Sequence, residues 1–188
     1  GSALVINPRG ALVEQTAPPV SFPDVLFMGG VVEETAIGDV LDAISYAADD
    51  DDIKLLLLNL DELSYASSAQ SLRIGEALAS FKESGKQVVA YADYFSQYQY
   101  HIASYSDALY MHPMGQALLT GYGGNNLYFR EMLQKLSINV HVFRVGDFKS
   151  AVEPFTRDDM SDEAKLANKT LYGGLWNYLL EDVARNRP

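Results

Sequence analysis

Lys149 is the residue of this chain whose type and surroundings best suit chemistry. It lies in the stretch Asn139 to Ser161, where a β-rich run leads to Gly146 and the lysine then falls among the apolar residues Phe148, Ala151, Val152 and Phe155. A lysine acts as a general base only when neutral, so its pKa must fall from about 10.4 by roughly 2–3 pH units. Burial among apolar groups lowers a lysine pKa in this way. The stretch therefore predicts a general base.

A structural role for Lys149 would explain the same residues. Asp147 and Glu153 would then be ordinary charge neighbours of a lysine in the first turn of a solvated segment. Lysine is rarely buried in proteins, which favours this interpretation when composition alone is considered. The residues themselves leave both interpretations open.

Ser96 and His101 are a second candidate pair, as nucleophile and base. They lie in a tyrosine-rich segment, Asp93 to Tyr105, which follows a predicted strand. In α/β folds, sites form at the carboxyl ends of strands. However, a nucleophile and a base need mutual contact and a third group that orients the base, and their spacing in sequence guarantees neither. We therefore expect the tyrosines of this segment to pack rather than to catalyse.

Alternating strands and helices are predicted to position these residues. Ile53–Leu60 and Gln87–Ala92 are apolar runs bounded by polar residues, a pattern typical of strands covered on both faces. Ile37–Ala48 has apolar residues at helical spacing, and a second helix is predicted over residues 67–84, ended by Gly85. This order predicts right-handed βαβ units around a parallel sheet.

The remaining segments complete the predicted order of elements. Ala3–Ile6 and Ala11–Val13 flank a turn signal and predict a β-hairpin-like start. The proline-rich stretch from Thr16 to Gly30 suits a loop, whose apolar residues either pack on the body or contact another subunit. Short strands are predicted at Ala108–Met111 and Ala117–Leu119, and a helix over Asn126–Leu136. A long final helix, capped by Ser161, is predicted after that serine.

Composition and charge bound the class of protein. With 188 residues, 48% hydrophobic and 21% charged, the chain fits one globular domain, predicted over residues 3–188. A formal net charge of −11 argues against binding to nucleic acid or to anionic lipid headgroups. The absence of cysteine excludes disulfides and thiolate metal sites. Asp49 to Asp52 lack the spacing of a calcium loop and predict a solvated turn.

Both ends of the chain look cut. Gly1 and Ser2 resemble an expression scar, and a helical pattern stops at the last residues. No apolar run approaches the roughly 20 residues needed to cross a bilayer, and no signal peptide opens the chain. The sequence therefore predicts a soluble piece of a protein.

The lysine stretch carries a resemblance to a known family. Two runs of this chain, FRVGDFKSAVEPF at 143–155 and RDDMS at 157–161, are similar to the lysine-bearing segment of the signal peptide peptidase A family of the long bacterial type, also called protease IV. The match is nearly ungapped and includes the glycine, the lysine and the glutamate-proline pair. Lys149 falls on the family's general-base position. The resemblance extends over most of the chain but is strong only over Val142–Ser161.

The resemblance implies that this chain is the amino-terminal, lysine-bearing one of two homologous halves. The nucleophilic serine would then lie beyond residue 188, in the second half. In this half the corresponding strand-to-helix turn begins at Ser96, with Gln97, or Ser96 in a register shifted by one, at the place of the serine. Asp61 to Ala66 stands where the catalytic half carries the paired glycines of an oxyanion hole. Without those glycines, close approach of the backbone to substrate is not expected.

The resemblance also implies a fold and an activity. The fold would be α/β, a spiral of ββα units of the Clp-protease/crotonase type with mostly parallel strands. The activity would be that of a serine/lysine-dyad endopeptidase that degrades cleaved signal peptides, and the isolated chain would be inactive. Neither a cofactor nor a metal is expected.

The partners and location implied are those of a membrane-associated assembly. The implied partners are peptide substrates and the missing carboxyl-terminal half, and the full-length protein would form a homotetramer. The final helix, which contains the Gly173-Gly174 pair, is a candidate contact between subunits or between the two halves. The full-length protein would be anchored by an amino-terminal membrane helix, absent here, and face the periplasm at the bacterial inner membrane. Two alternatives stay open. This half is only an assembly scaffold, or the chain is a crotonase-type acyl-coenzyme A enzyme, although no glycine pair is placed for the latter.

Overall fold

The computed structural model describes residues 1–17, 33–141 and 150–187. The chain forms two compact units. The first comprises residues 1–120 together with the segment that begins at Asp182, and the second comprises Gly121–Glu181. The single domain predicted over residues 3–188 stays a prediction, because compactness alone does not decide whether the units fold independently.

The strands of the described residues all lie in the first unit. In chain order they are β1 Ser2–Ile6, β2 Gly10–Val13, β3 Glu34–Ala36, β4 Ile53–Asn59, β5 Leu63–Tyr65, β6 Gln87–Ala92, β7 Phe95–Ser96, β8 Ala108–Met111 and β9 Ala117–Leu118. They form a four-stranded sheet of order β1-β4-β6-β8 and two small sheets, β3-β2-β5 and β7-β9. Every pairing among them is parallel. The predicted parallel sheet is confirmed.

Among the described residues of the first unit, three helices follow the strands in a repeating order. They are α1 Ile37–Asp49, α2 Ser68–Glu83 and α3 Gln97–Ala103. Each repeat places a strand in the large sheet, then a strand in a small sheet, then a helix: β1, β2 and α1; β4, β5 and α2; β6, β7 and α3. In the first repeat β3 is inserted before the helix. This is the ββα arrangement that the resemblance implies.

The predicted hairpin at the start of the chain is wrong. β1 and β2 exist, but they belong to different sheets. Leu4 of β1 lies opposite Leu56 of β4, whereas Leu12 of β2 lies opposite Thr35 of β3. Gly10, with a φ of 65°, turns the chain between the two sheets, since that backbone conformation suits glycine. β1 and β2 thus each pair with later, parallel strands and not with each other.

The core lies between the large sheet and the helices. Leu56 and Leu58 of β4 are fully buried, as their place in the predicted run requires. Ser67 caps α2 by accepting a hydrogen bond from the Gln70 backbone N–H, and Gly85 follows the helix with a φ of 78°. Other core residues include Ile37, Ile44, Ile74, Leu78, Phe81, Val88, Phe95 and Ile102.

The regular elements described in the second unit are helices. This unit contains α4 Arg130–Lys135, a 3₁₀ turn at Ser150–Val152, α5 Glu153–Thr156 and most of α6 Asp162–Asn186. The helix predicted over Asn126–Leu136 begins only at Arg130, so its predicted start was wrong. The backbone N–H of Phe129 donates to the Pro154 carbonyl at 2.6 Å instead of to a carbonyl of an earlier helical turn. The predicted final helix is confirmed, and Gly173 and Gly174 do not interrupt it.

Candidate active site

Lys149, the predicted general base, lies outside the described residues, as do residues 142–148 before it. The structure takes up the chain again at Ser150, the next residue. The described parts of the candidate site are the segment that follows the lysine, the strand-to-helix turn at Ser96 and the segment Asp61 to Ala66.

A buried carboxylate holds together the segment that follows the lysine. The Ser161 backbone N–H donates to Oε2 of Glu153 at 3.1 Å, and the Ser161 hydroxyl donates to Oε1 of the same carboxylate. Glu153 is 4% exposed and Ser161 9%. We call this pair the Glu153–Ser161 clamp. It joins the first residue of α5 to the residue that precedes α6.

The same segment is attached to α4. The rings of Phe129 and Phe155 stack with their centroids 6.4 Å apart. The carboxylate of Asp158 pairs with the Arg130 guanidinium and accepts a hydrogen bond from the Glu131 backbone N–H at 3.1 Å. Residues 150–161 are thus held at several points within the second unit.

The strand-to-helix turn at Ser96 is occupied by structural hydrogen bonds. The backbone N–H and the hydroxyl of Ser96 both donate to Oε1 of Gln99, at 2.7 and 2.8 Å. His101 is buried and bonds elsewhere, to Asp182. Ser96 and His101 therefore do not form a nucleophile and base pair, in agreement with the sequence argument.

Gln99 also ties this turn to the segment that stands in place of an oxyanion hole. Its side chain is fully buried, and Nε2 donates to the carbonyls of Leu60 and Leu63 at 2.8 and 3.0 Å. The backbone N–H of Leu63 is itself bonded to the Leu60 carbonyl. An oxyanion hole needs N–H groups that point at the developing charge. Here the backbone presents carbonyl oxygens to the turn.

A buried polar network was missed by sequence reasoning. Oδ2 of Asp182 accepts hydrogen bonds from His101 Nε2 and from the Tyr105 hydroxyl, and its Oδ1 accepts from Arg185. Burial raises the pKa of Asp182, but the hydrogen bonds from Tyr105 and His101, with the Arg185 guanidinium, outweigh it and hold the pKa below its ordinary value. The signal was an aspartate three residues after Leu179, within the apolar stripe of the final helix.

The carboxyl ends of β6 and β8 border an open cavity of about 450 Å³. Its lining residues are Asp93, Tyr94, His112, Met114, Gly115 and Gln116. His112 accepts a hydrogen bond from the Met114 backbone N–H at 3.1 Å. A side chain at position 115 would meet the Asp93 carbonyl at 2.0 Å, so the wall of the cavity requires glycine there.

The described ranges contain neither a metal-binding cluster nor a membrane-spanning helix. No group of three or more histidine, aspartate or glutamate side chains in those ranges is placed to hold a metal ion. Within the same part of the chain, no helix combines the length and apolar character needed to span a bilayer.

Comparison with known sequences gives consistent matches. The profile of peptidase family S49 matches residues 80–188. Protease 4 of Haemophilus influenzae is 42% identical over 98% of this chain, which spans 31% of that protein's length. Protease 4 of Salmonella typhi is 42% identical over 83% of the chain and 25% of its own length. The chloroplastic serine protease SPPA of Arabidopsis thaliana is 25% identical over 73% of the chain. The chain thus spans about a third or less of these relatives.

Comparison with solved structures gives matches of low overall similarity. An enoyl-CoA hydratase/isomerase family protein from Silicibacter pomeroyi aligns with 81% of this chain and 78% of its own, at a TM-score of 0.34 and 18% identity. A probable enoyl-CoA hydratase from Mycobacterium thermoresistibile covers 81% of this chain and 74% of its own, also at a TM-score of 0.34, with 12% identity. At these scores the matches carry no argument about function.

Proposed function

The chain belongs to peptidase family S49, and we propose that it is the lysine-bearing part of a serine endopeptidase that degrades cleaved signal peptides. The observation that carries this proposal is the extent of the family match. It runs over residues 80–188 and so includes Lys149 and the Glu153–Ser161 clamp. The relatives named above are proteases by name.

Lys149 is the general base of the proposed reaction. Neutral Lys149 takes the proton of a serine hydroxyl as the serine oxygen attacks a peptide carbonyl carbon. When the C–N bond breaks, the lysine returns that proton to the leaving amine, and an acyl-enzyme ester remains. A water molecule activated by the same amine then attacks the ester, which frees the serine and the carboxylate product.

The serine comes from outside residues 1–188 in this proposal. Two contacts support that origin. The Ser96 hydroxyl is bonded to Gln99, and the carbonyls of Leu60 and Leu63 occupy the place where N–H donors would be needed. The chain's short span of its relatives leaves room for a second, serine-bearing half. The isolated chain is accordingly proposed to be inactive.

Assembly into a homotetramer, with the lysine of a first half beside the serine of a second, is part of the proposal. Exposed large apolar side chains of the second unit support an assembly, because such surface commonly marks an interaction site. They include Leu127, Met132, Leu136, Leu166 and Leu171, each at least 50% exposed. The signal-peptide substrate and the periplasmic face of the bacterial inner membrane rest on the resemblance of residues 143–161 alone.

A non-catalytic assembly scaffold is the second candidate function. The observation that favours it is the Gln99 network, which fills the chain's own strand-to-helix turn with structural hydrogen bonds. A scaffold would tolerate replacement of Lys149. The acyl-coenzyme A enzyme has no comparable support, since Asp61 to Ala66 contains no glycine pair.

Peptide hydrolysis by the full-length protein with and without Lys149→Ala tests the proposal. Loss of a general base is expected to lower kcat about 10²–10⁴-fold. Lys135→Ala is the matched control, since this lysine is 73% exposed on α4 and pairs only with Glu131 among the described residues. Circular dichroism and gel filtration check that fold and assembly persist. Full activity of a folded, assembled Lys149→Ala protein would refute the base and favour the scaffold.

A further inference from the structure

We infer that Glu153 and Ser161 are positioning residues of the peptidase, which fix the course of the chain directly after the general base. The inference rests on the proposed role of Lys149. Glu153 lies four residues after Lys149 in sequence, and both clamp residues belong to the described segment 150–161.

Burial in the second unit is concentrated on this polar pair. Among the residues described there, only Glu153, Ser161 and Leu179 are buried. A carboxylate is costly to remove from water, so a buried one must be met by hydrogen-bond donors. Ser161 supplies a donor to each carboxylate oxygen, from its N–H and its hydroxyl. The clamp is therefore a satisfied polar contact among residues that are mostly exposed or half-buried.

The clamp fixes geometry more narrowly than an apolar contact would. A buried polar pair generally offers no more stability than a well-packed apolar pair of similar volume, but its hydrogen bonds are directional. Ser161 bonds to both carboxylate oxygens of Glu153, which constrains the orientation of α5. The 3₁₀ turn at Ser150–Val152 runs straight into α5, so the same orientation extends back to Ser150.

Ser161 passes this constraint to the long helix. Its hydroxyl also accepts a hydrogen bond from the Ala164 backbone N–H at 3.2 Å, and its carbonyl accepts from the Lys165 N–H at 2.9 Å. The start of α6 and the start of α5 are thus joined through one serine. The segment after Lys149 is therefore tied to the first turn of the 25-residue α6.

The expected consequence is a change in kcat. Misplacement of a catalytic group by about 1 Å costs on the order of 100-fold in rate. Glu153→Gln replaces one acceptor oxygen by an amide, and Ser161→Ala removes the hydroxyl. In the full-length protein we expect each to lower kcat about 10- to 100-fold while KM changes less than about 2-fold. Ser161→Thr keeps the hydroxyl and should retain most of the activity.

Two comparisons separate positioning from a general loss of structure. Asp159→Asn is the matched control, because Asp159 lies in the same segment but is 64% exposed and pairs with Arg157 on the surface; it should leave kcat unchanged. Kinetics are measured well below the melting temperature of each variant, with the folded fraction checked by near-ultraviolet circular dichroism. Because the clamp acts as a unit, the double variant Glu153→Gln with Ser161→Ala should lower kcat little more than either single change does.

Each outcome decides the matter. A lowered kcat with unchanged KM in folded protein, together with activity in Ser161→Thr, supports the positioning role. Wild-type kcat in folded Glu153→Gln and Ser161→Ala overturns it. If Ser161→Ala does not fold, Glu153→Gln and Ser161→Thr decide on the same criteria. Lys149→Ala in the same assay keeps the two hypotheses apart: if it is active, the base assignment fails, and if it is inactive while the clamp variants are fully active, only the clamp inference fails.

Discussion

Nε2 of His101 donates a 2.8 Å hydrogen bond to Oδ2 of Asp182, 81 residues further along the chain. The Tyr105 hydroxyl donates to the same oxygen at 2.5 Å. The side chains of His101 and Asp182 are 2% and 5% exposed. These contacts attach the carboxyl-terminal segment from Asp182 to α3 within the first unit, and they account for a histidine that would otherwise invite a catalytic interpretation.

Asp182→Asn is expected to destabilise the first unit by about 2–3 kcal/mol near neutral pH, because hydrogen bonds to a buried charged group are lost or weakened. The pKa of Asp182 is lowered on folding, so its contribution is present above the ordinary value of 3.8 and is lost as pH falls through the lower folded pKa. Urea unfolding at pH 7 and at about pH 3 measures the difference between wild type and variant. That difference should shrink at the lower pH.

Asp42→Asn is the control for this prediction, since Asp42 is exposed on α1. It should change stability little at either pH. A difference between wild type and Asp182→Asn that grows on acidification would contradict the assigned direction of the Asp182 pKa.

Gln99→Glu is expected to destabilise the protein in a pH-dependent way. The change puts a carboxylate oxygen against the carbonyls of Leu60 and Leu63, which now receive an N–H₂ group. Burial and these carbonyls would raise the pKa of the introduced acid in the folded protein. The loss of stability therefore appears as the pH rises above the unfolded-state pKa of about 4.3, and it is relieved at lower pH. Unfolding midpoints from pH 3 to 8 measure this.

Two further variants make the Gln99 result specific. Gln15→Glu introduces the same charge at an exposed position and should show no such pH dependence. Gln99→Met removes every hydrogen bond of the side chain without adding a charge, so its destabilisation should be nearly independent of pH. If Gln99→Glu has the same unfolding midpoint as Gln99→Met at every pH, the carbonyls do not face the side chain as described.

Local pattern was enough to predict most of the elements of the first unit. Ile53–Leu60 and Gln87–Ala92 were predicted as buried strands because continuous apolar runs need cover on both faces, and the observed strands are Ile53–Asn59 and Gln87–Ala92. The helix α2 was predicted from its capping serine and its final glycine. The failure at β1 and β2 has a physical cause. Strand pairing is a long-range property, and a turn signal between two strands does not decide which partner each takes.

The candidate site was predicted less completely. A lysine among apolar residues could be recognised from the local sequence, and the dismissal of Ser96 and His101 followed from the requirement for mutual contact. The Glu153–Ser161 clamp and the Asp182 network were not predicted, because both depend on side-chain geometry. The clamp joins residues 8 positions apart, and the network joins His101 to Asp182 across 81 positions. Lys149 itself lies outside the described residues, so its role stays a prediction.

Gly75 and Gly174 are both helix glycines, yet they should respond oppositely to alanine. A Cβ at position 75 would lie 2.3 Å from the Tyr105 ring, whereas no atom of the described residues lies within 4 Å of a Cβ at position 174. In the isolated chain, Gly174→Ala should stabilise by up to about 1 kcal/mol through helix propensity. Gly75→Ala should lower the free energy of unfolding by about 1–3 kcal/mol, because the added methyl group overpacks the contact with Tyr105. Thermal unfolding measures both, and a stabilised Gly75→Ala would contradict the contact with Tyr105.

Ser96→Ala should leave peptide hydrolysis by the full-length protein within about 2-fold of wild type. The Ser96 hydroxyl donates to Gln99 at 2.8 Å and takes no part in the proposed reaction, so its removal should cost only about 1 kcal/mol of stability. Steady-state kinetics with a peptide substrate and urea unfolding measure the two effects. Purified residues 1–188 should show no turnover in the same assay. Abolished activity in a folded Ser96→Ala protein, or steady turnover by the isolated chain, would instead place the nucleophile within this chain, since no other origin of the serine would then be needed.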